Sequence, residues 1–287
     1  MEHAPVKHEV AVVVPVLGDV DALAELLSRI EGWEGRPEEI VVVAGQREES
    51  VVAAQREEIV VAGRPDPRLG GLCRDRGCRL VETQANRGAQ LDCGARRAGA
   101  GVLWFLHADV EPPHDGLEAI GSAVADGAEG GCFRFAFQGQ QTWYKRLLER
   151  FVALRVALGG MPYGDQGIFV RRDVYLECGG FPHQSLFEEV RLVQRLRRRG
   201  RFRPLAQPVR VSTRRWERDG WWSRTWRNRL LAFCNMLGIP PEKLAGVYHG
   251  KGRPRAARDG CAAGTEHDRG APDSHGDRGE PDTKLNT

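Results

Sequence analysis

Four short stretches of the chain carry the side chains most able to do chemistry. The run Val102-Leu103-Trp104-Phe105-Leu106 is continuously apolar and breaks abruptly into His107-Ala108-Asp109. An Asp at the end of a buried strand can hold Mg2+ or Mn2+ with few protein oxygens and several waters, and the imidazole is a candidate second ligand or hydrogen-bond donor. The same residues also suit a plain strand end whose Asp caps a turn. Glu188-Glu189 precedes a helix; one of the two is a candidate general base for an acceptor hydroxyl. On local sequence alone, capping of that helix by its dipole explains the acids more simply. Arg214-Arg215-Trp216 offers guanidinium forks for phosphate oxygens and an indole to stack on a sugar or base. Its bland counterpart is a solvated basic patch with a buried Trp. Tyr163-Gly164-Asp165-Gln166-Gly167 pairs Asp165 and Gln166, donors and acceptors for a polyol, with glycines that allow close backbone approach. An Asx turn is the competing account.

The flanking sequence shows what must position these groups. Residues 9–17 (EVAVVVPVL) form a β-branched run closed by Pro15, and Asp19 or Asp21 can cap a helix with Leu23, Leu26, Leu27 and Ile30 on one face. Residues 39–44 (EIVVVA) predict a second buried strand, giving a βαβ opening and a parallel sheet. Residues 57–64 nearly echo 38–47, which fits an insertion in a loop; one echo is not a repeat array. Residues 79–82 predict a short strand, and Asn86-Arg87-Gly88 leads into a helix rich in small residues. The opening run, 102–107, then reads as a strand buried on both faces, and ligands sit beyond the carboxyl ends of such strands. A helix is expected over 115–126, a strand with one open face over 131–137 and a helix over 142–158. A basic helix through Arg199, a strand at 209–212 and a helix over 221–237 follow. Residues 250–287 are Gly-, Arg-, Asp- and Pro-rich and predict a disordered tail.

At 287 residues, with 42 Lys+Arg against 39 Asp+Glu, the net charge of +3 points to no partner. Arginines concentrate between Arg191 and Arg229, which suits a local anion such as a phosphate. No nucleic-acid motif surrounds them, so a nucleic-acid binder is the least favoured class. Seven cysteines without a CxxC pair read as reduced thiols in a cytosolic protein. No segment of membrane-spanning length stands out, and peripheral contact with the inner face of a membrane is compatible with this composition.

The order of these motifs is more specific than any one of them. A βαβ start with Pro-Val-Leu, a strand ending in Leu-His-Ala-Asp, then Pro-Tyr-Gly-Asp-Gln-Gly, Gly-Gly-Phe-Pro, an acid pair and Arg-Arg-Trp-Glu resembles the family 2 glycosyltransferases. Within them it resembles the compact bacterial subgroup associated with radical-SAM and selenodomain proteins. The resemblance covers roughly 10–248 and is densest over 161–217. It implies a GT-A fold: a Rossmann-like, mostly parallel sheet flanked by helices, with a nucleotide-binding half (about 9–110) and a more helical acceptor half (111–249). It implies inverting transfer from a nucleotide-diphosphate sugar to an acceptor, assisted by Mg2+ or Mn2+. Carried over by position, Asp109 would bind metal with His107 beside it, and Glu189 of the Glu188-Glu189 pair would be the base. Pro15, Val16, Asp19, Ala44 and Arg87 would lie along the donor, and Asp165, Gln166, Arg214, Arg215 and Trp216 near the diphosphate and acceptor. The chain departs from the family in reading Gly18-Asp19 for Asn-Glu, Ala44-Gly45-Gln46-Arg47 for Asp-Gly-x-Ser, and Glu-Glu for Glu-Asp. Two other readings stay open. One is a non-catalytic nucleotide-sugar-binding relative, given the carboxylate missing at Ala44. The other is a nucleotidyltransferase, which would want a basic Gly-rich loop where Pro15-Val16-Leu17-Gly18 stands.

Overall fold

The computed structural model describes residues 7–46, 48–49, 61–62, 66–184, 186–236 and 239. The expected tail, 250–287, lies outside the described residues, as does most of the second copy of the echo. Of the inserted segment, Glu48–Glu49 (β3) and Val61–Ala62 (β4) pair antiparallel as a ribbon separate from the main sheet.

The chain opens as expected. Strand β1 (Lys7–Val16) runs into helix α1 (Val20–Glu31), and β2 (Arg36–Gln46) returns parallel to β1. Leu23, Leu26, Leu27 and Ile30 of α1 are buried, as their spacing requires. Helix α2 (Pro67–Asp75), which the sequence reading missed, leads to β5 (Arg79–Gln84); α3 (Arg87–Arg97) then leads to β6 (Val102–Phe105). Every residue of β6 is buried, with Val102 and Trp104 in one core cluster and Leu103 and Phe105 in the other. A strand covered on both faces has no need to alternate, so its apolar run is continuous.

The second half extends the same sheet. β7 (Val110–Glu111), α4 (Gly116–Ala125), β8 (Gly130–Phe137) and α5 (Trp143–Ala157) come first. They are followed by β9 (Phe169–Arg171), α6 (Arg172–Glu177), α7 (Glu189–Arg198), β10 (Phe202–Val211), α8 (Arg214–Asp219) and α9 (Trp221–Met236). The eight strands lie in the order β5-β2-β1-β6-β9-β8-β10-β7, with β9 antiparallel to both neighbours and β7 antiparallel to β10. β8 corrects one expectation: only Arg134 is exposed along it. Phe133, Phe135 and Phe137 join the main core, while Cys132 packs with Val156 of α5 and Val193 of α7 on the other face. The apolar stripe of α5 differs in the opposite sense, since Trp143, Leu147, Phe151 and Leu154 point to solvent.

Candidate active site

The turn joining β6 to β7 creates the site. β6 ends at the centre of the sheet, whereas β7 pairs with the far end of β10, Val211 opposite Val110. Residues 106–109 therefore cross the amino end of β9 and the carboxyl ends of β8 and β10, which places His107 and Asp109 on the rim of a cleft of about 820 Å³. Asp165, Glu189, Arg87, Ser212, Trp216 and Arg224 line the same cleft. Three acids far apart in sequence, at 109, 165 and 189, thus share one concave surface with His107. Such convergence of titratable groups in a cleft marks a candidate active site.

The acid pair is divided into two unlike groups. Glu188 is 0 % exposed and takes a two-pronged ion pair from Arg87, Nε to Oε1 at 2.5 Å and a terminal nitrogen to Oε2 at 3.0 Å. The close approach of α3 that this requires depends on Gly88, whose absent Cβ would stand 2.0 Å from the carbonyl of Pro182. Glu189 is 2 % exposed; its Oε1 accepts from the amide of Gly164 at 3.2 Å, and its Oε2 accepts no hydrogen bond among the described residues. Burial, and then the negative charge of Glu188, push the Glu189 carboxyl up to about 8. One acid is thus clamped by a guanidinium, and the other lines the cleft with its carboxyl raised so that it holds a proton near neutrality. Phe187, just before them, adopts a left-handed φ of 58°, which a bulky side chain rarely occupies. Its ring packs 5.9 Å from Tyr163 and beside Leu186 and Leu231, so packing holds the strained residue that aims the pair.

Opposite them, Gly164 begins a 3-10 turn (Gly164–Gln166) beneath His107, whose Nε2 a Cβ at 164 would meet at 2.9 Å. Asp165 is raised by burial and further by the charge of Asp109, while Arg155 and Arg87 pull it down. Arg155 lies over the ring of Tyr163 at 4.8 Å, and burial raises that phenol. The oxygen-rich pair Asp109 and Asp165, with His107, has the donor chemistry of a Mg2+ or Mn2+ site. Among the described residues no three His, Cys, Asp or Glu side chains gather into a ready-made cage.

Other expected residues are placed differently. Asp19 Oδ1 caps α1 by accepting from the amide of Ala22 at 3.1 Å, and Ala44 is packed in the main core. Pro15 and Val16 stand at the end of β1, the latter buried, and none of these four lines the cleft with Asp109. Gln166 is buried and spent on backbone, donating to the carbonyl of Phe133 at 3.2 Å and accepting from the amide of Tyr163 at 3.3 Å. It is a strut of the turn, and the structure does not bring its side chain to the cleft. Arg214 opens α8 and is exposed; the side chain of Arg215 lies outside the described residues. Trp216 does reach the cleft, its ring 5.1 Å from Phe137.

Three contributors went unnoticed in the sequence. Arg224 of α9 is buried at the cleft and anchored to Asp219 at 2.8 Å. Its only sequence signal was membership of the basic region. Gln90 of α3 donates to the carbonyls of Val16 at 3.0 Å and Val43 at 2.8 Å, tying together the ends of β1 and β2. Glu82 stands in register with Ala44 on the neighbouring strand, accepting from Gln46 at 2.8 Å. A carboxylate absent from the end of β2 is therefore present one strand away.

No family profile and no curated protein matches the sequence. Solved structures do match. Glucosyl-3-phosphoglycerate synthase from Mycobacterium tuberculosis, in complex with Mn2+, UDP and glucosyl-3-phosphoglycerate, aligns over 81% of this chain and 81% of its own, at 14% identity and a TM-score of 0.53. Its complexes with Mn2+ and UDP-glucose, and with Mg2+ and UDP, align over 81% of this chain and 80% of their own. Their identities are 13% and 15%, and both TM-scores are 0.53. At such identities the likeness concerns the fold, and the fold is GT-A: a mixed, mostly parallel sheet flanked by helices.

Proposed function

We propose that this chain is an inverting glycosyltransferase, acting on a nucleotide-diphosphate sugar and an acceptor hydroxyl with Mg2+ or Mn2+. The observation that carries this is the pairing of a clamped anion, Glu188, with a buried proton-holding acid, Glu189, across one cleft from Asp109. A general base works best when its pKa lies near the working pH, and Glu189 meets that condition. In this reading Glu189 Oε2 takes the proton of the acceptor hydroxyl; burial and the charge of Glu188, which Arg87 holds in place, raise its pKa, while the charge of Arg87 partly offsets that rise. Asp109, with His107 and Asp165 nearby, would hold the metal ion, which when bound offsets the charge of the leaving diphosphate. Arg224 and Trp216, with Arg214 and Arg215 on α8, would attend the diphosphate and acceptor. The backbone ends of β1 and β2 (Pro15, Val16, Asp19, Ala44) would underlie the nucleotide, with Glu82 supplying the carboxylate that the end of β2 lacks. The halves 9–110 and 111–249 would be the nucleotide and acceptor sides. The order of motifs supports placement in family 2, within the bacterial radical-SAM and selenodomain-associated subgroup.

The test is binding and turnover of a panel of nucleotide sugars with Mn2+ or Mg2+. One donor is expected to bind only with metal, and Asp109→Ala should abolish both binding and turnover. An Asp109→Ala protein that still turned over donor would remove Asp109 from this role. Retained donor binding with no turnover in the parent protein would instead favour the non-catalytic relative.

A further inference from the structure

Helices α5 and α9 face each other across a groove of about 1110 Å³ and present an apolar surface that nothing among the described residues covers. On α5 the stripe runs through Trp143, Leu147, Phe151 and Leu154, one residue per turn, and on α9 through Trp222, Trp226 and Leu230. The three tryptophans are 71, 67 and 69 % exposed, values far from those of core residues. Soluble proteins scatter single apolar side chains over their surfaces, and a contiguous patch of this kind marks a docking face.

Charge selects the occupant. The sixteen residues of α9 contain no Asp or Glu, and Arg229 of that helix lies over the ring of Phe151 at 5.7 Å, linking the two faces. On α5 the one acid, Glu149, is turned inward to accept from the amide of Phe137 at 2.8 Å, while Arg146 and Arg150 are exposed beside the stripe. An apolar centre rich in indole, flanked on its two helices by Arg146, Arg150 and Arg229 and by no outward acid of either helix among the described residues, is the pattern of a surface that lies in the headgroup layer of an anionic bilayer. A second copy of this chain would set arginine against arginine across a two-fold axis. We propose that the α5–α9 face docks the protein on an anionic phospholipid bilayer. Because α9 also supplies Arg224 and Leu231 to the cleft, the bilayer would lie about one helix diameter, ~10 Å, from the site.

The test is co-sedimentation of the full chain with vesicles of phosphatidylcholine alone or mixed with phosphatidylglycerol, with no activity readout. Binding to the mixed vesicles is expected, with little binding to phosphatidylcholine and weakening by salt. The Trp222→Ser/Trp226→Ser protein should bind at least about tenfold more weakly, given the loss of two interfacial indoles. In Arg146→Glu/Arg150→Glu each removed cation should cost about fivefold. All four positions are exposed, and unchanged circular dichroism would confirm folding. No binding to the mixed vesicles, or unchanged binding by the tryptophan variant, would overturn the proposal. A parent protein that is dimeric by light scattering and made monomeric by the tryptophan substitutions would also overturn it, in favour of a second copy. Failure here would leave the proposed transfer reaction untouched.

Discussion

Replacing Arg87 by Met tests the clamp on which the catalytic reading depends. Glu188 is fully buried and receives both its hydrogen bonds described here from that guanidinium, at 2.5 and 3.0 Å. Removing one partner of a buried pair strands the other charge, at a typical cost of roughly 3–5 kcal/mol. The Arg87 side chain is 30% exposed, so water reaches its side of the pair. The lower end of that range, about 3 kcal/mol, is therefore expected. Glu188→Leu leaves the partly wet guanidinium instead and should cost less. Arg87→Met/Glu188→Leu removes both charges and should return to within about 1 kcal/mol of the parent, because a buried pair is worth little against packed apolar groups. Urea unfolding followed by far-ultraviolet circular dichroism supplies all four corners of the cycle. A loss below about 1 kcal/mol in Arg87→Met, or simple additivity in the double variant, would refute the buried clamp.

Four further outcomes follow from the same geometry. Glu189 keeps its proton in the folded state up to about pH 8, against 4.5 for its ordinary value; its contribution is full below 4.5 and lost as pH rises through 8. Unfolding titrations should therefore show the parent losing stability across that window relative to Glu189→Gln, by an amount on the order of a few kcal/mol. In the pH profile of donor hydrolysis, Glu188→Gln should move the ascending limb to lower pH, since it removes a charge that raises Glu189. At position 187, with φ of 58°, Gly should be more stable than Ala by about 1 kcal/mol in thermal unfolding, the reverse of the usual order. Gly88→Ala should lose roughly 1–3 kcal/mol in the same experiment, because its Cβ would lie 2.0 Å from the Pro182 carbonyl.

The first half of the fold was readable because its signals are local. β1, α1 and β2 announce themselves by β-branched runs, a capping Asp and helical spacing, and β6 by an apolar run that stops at His107. What was hidden depends on pairing over distance. β9 is three residues long, and only its insertion between β6 and β8 makes it a central strand. The far-reaching link from β6 to β7 at the end of β10 likewise has no local signature. At the site, Asp109 and Glu189 were singled out because carboxylates at element ends are visible in sequence. The division of labour between Glu188 and Glu189 was not, since it rests on Arg87, 101 residues away. Gln166 misled for a related reason: a polar side chain flanked by glycines looks available, whereas its amide is consumed by the backbone of Tyr163 and Phe133.

The most direct test of the central claim compares the parent and Glu189→Gln proteins with the nucleotide sugar that binds best in Mn2+, water serving as acceptor. Donor affinity is measured by calorimetry and the anomer first released by proton NMR. The parent should hydrolyse the donor slowly, with inverted configuration. In Glu189→Gln hydrolysis should fall by about 100-fold or more, the scale of a lost general base, with donor affinity kept within about threefold. Unchanged hydrolysis in Glu189→Gln, or a product that retains the donor's configuration, would contradict the central claim.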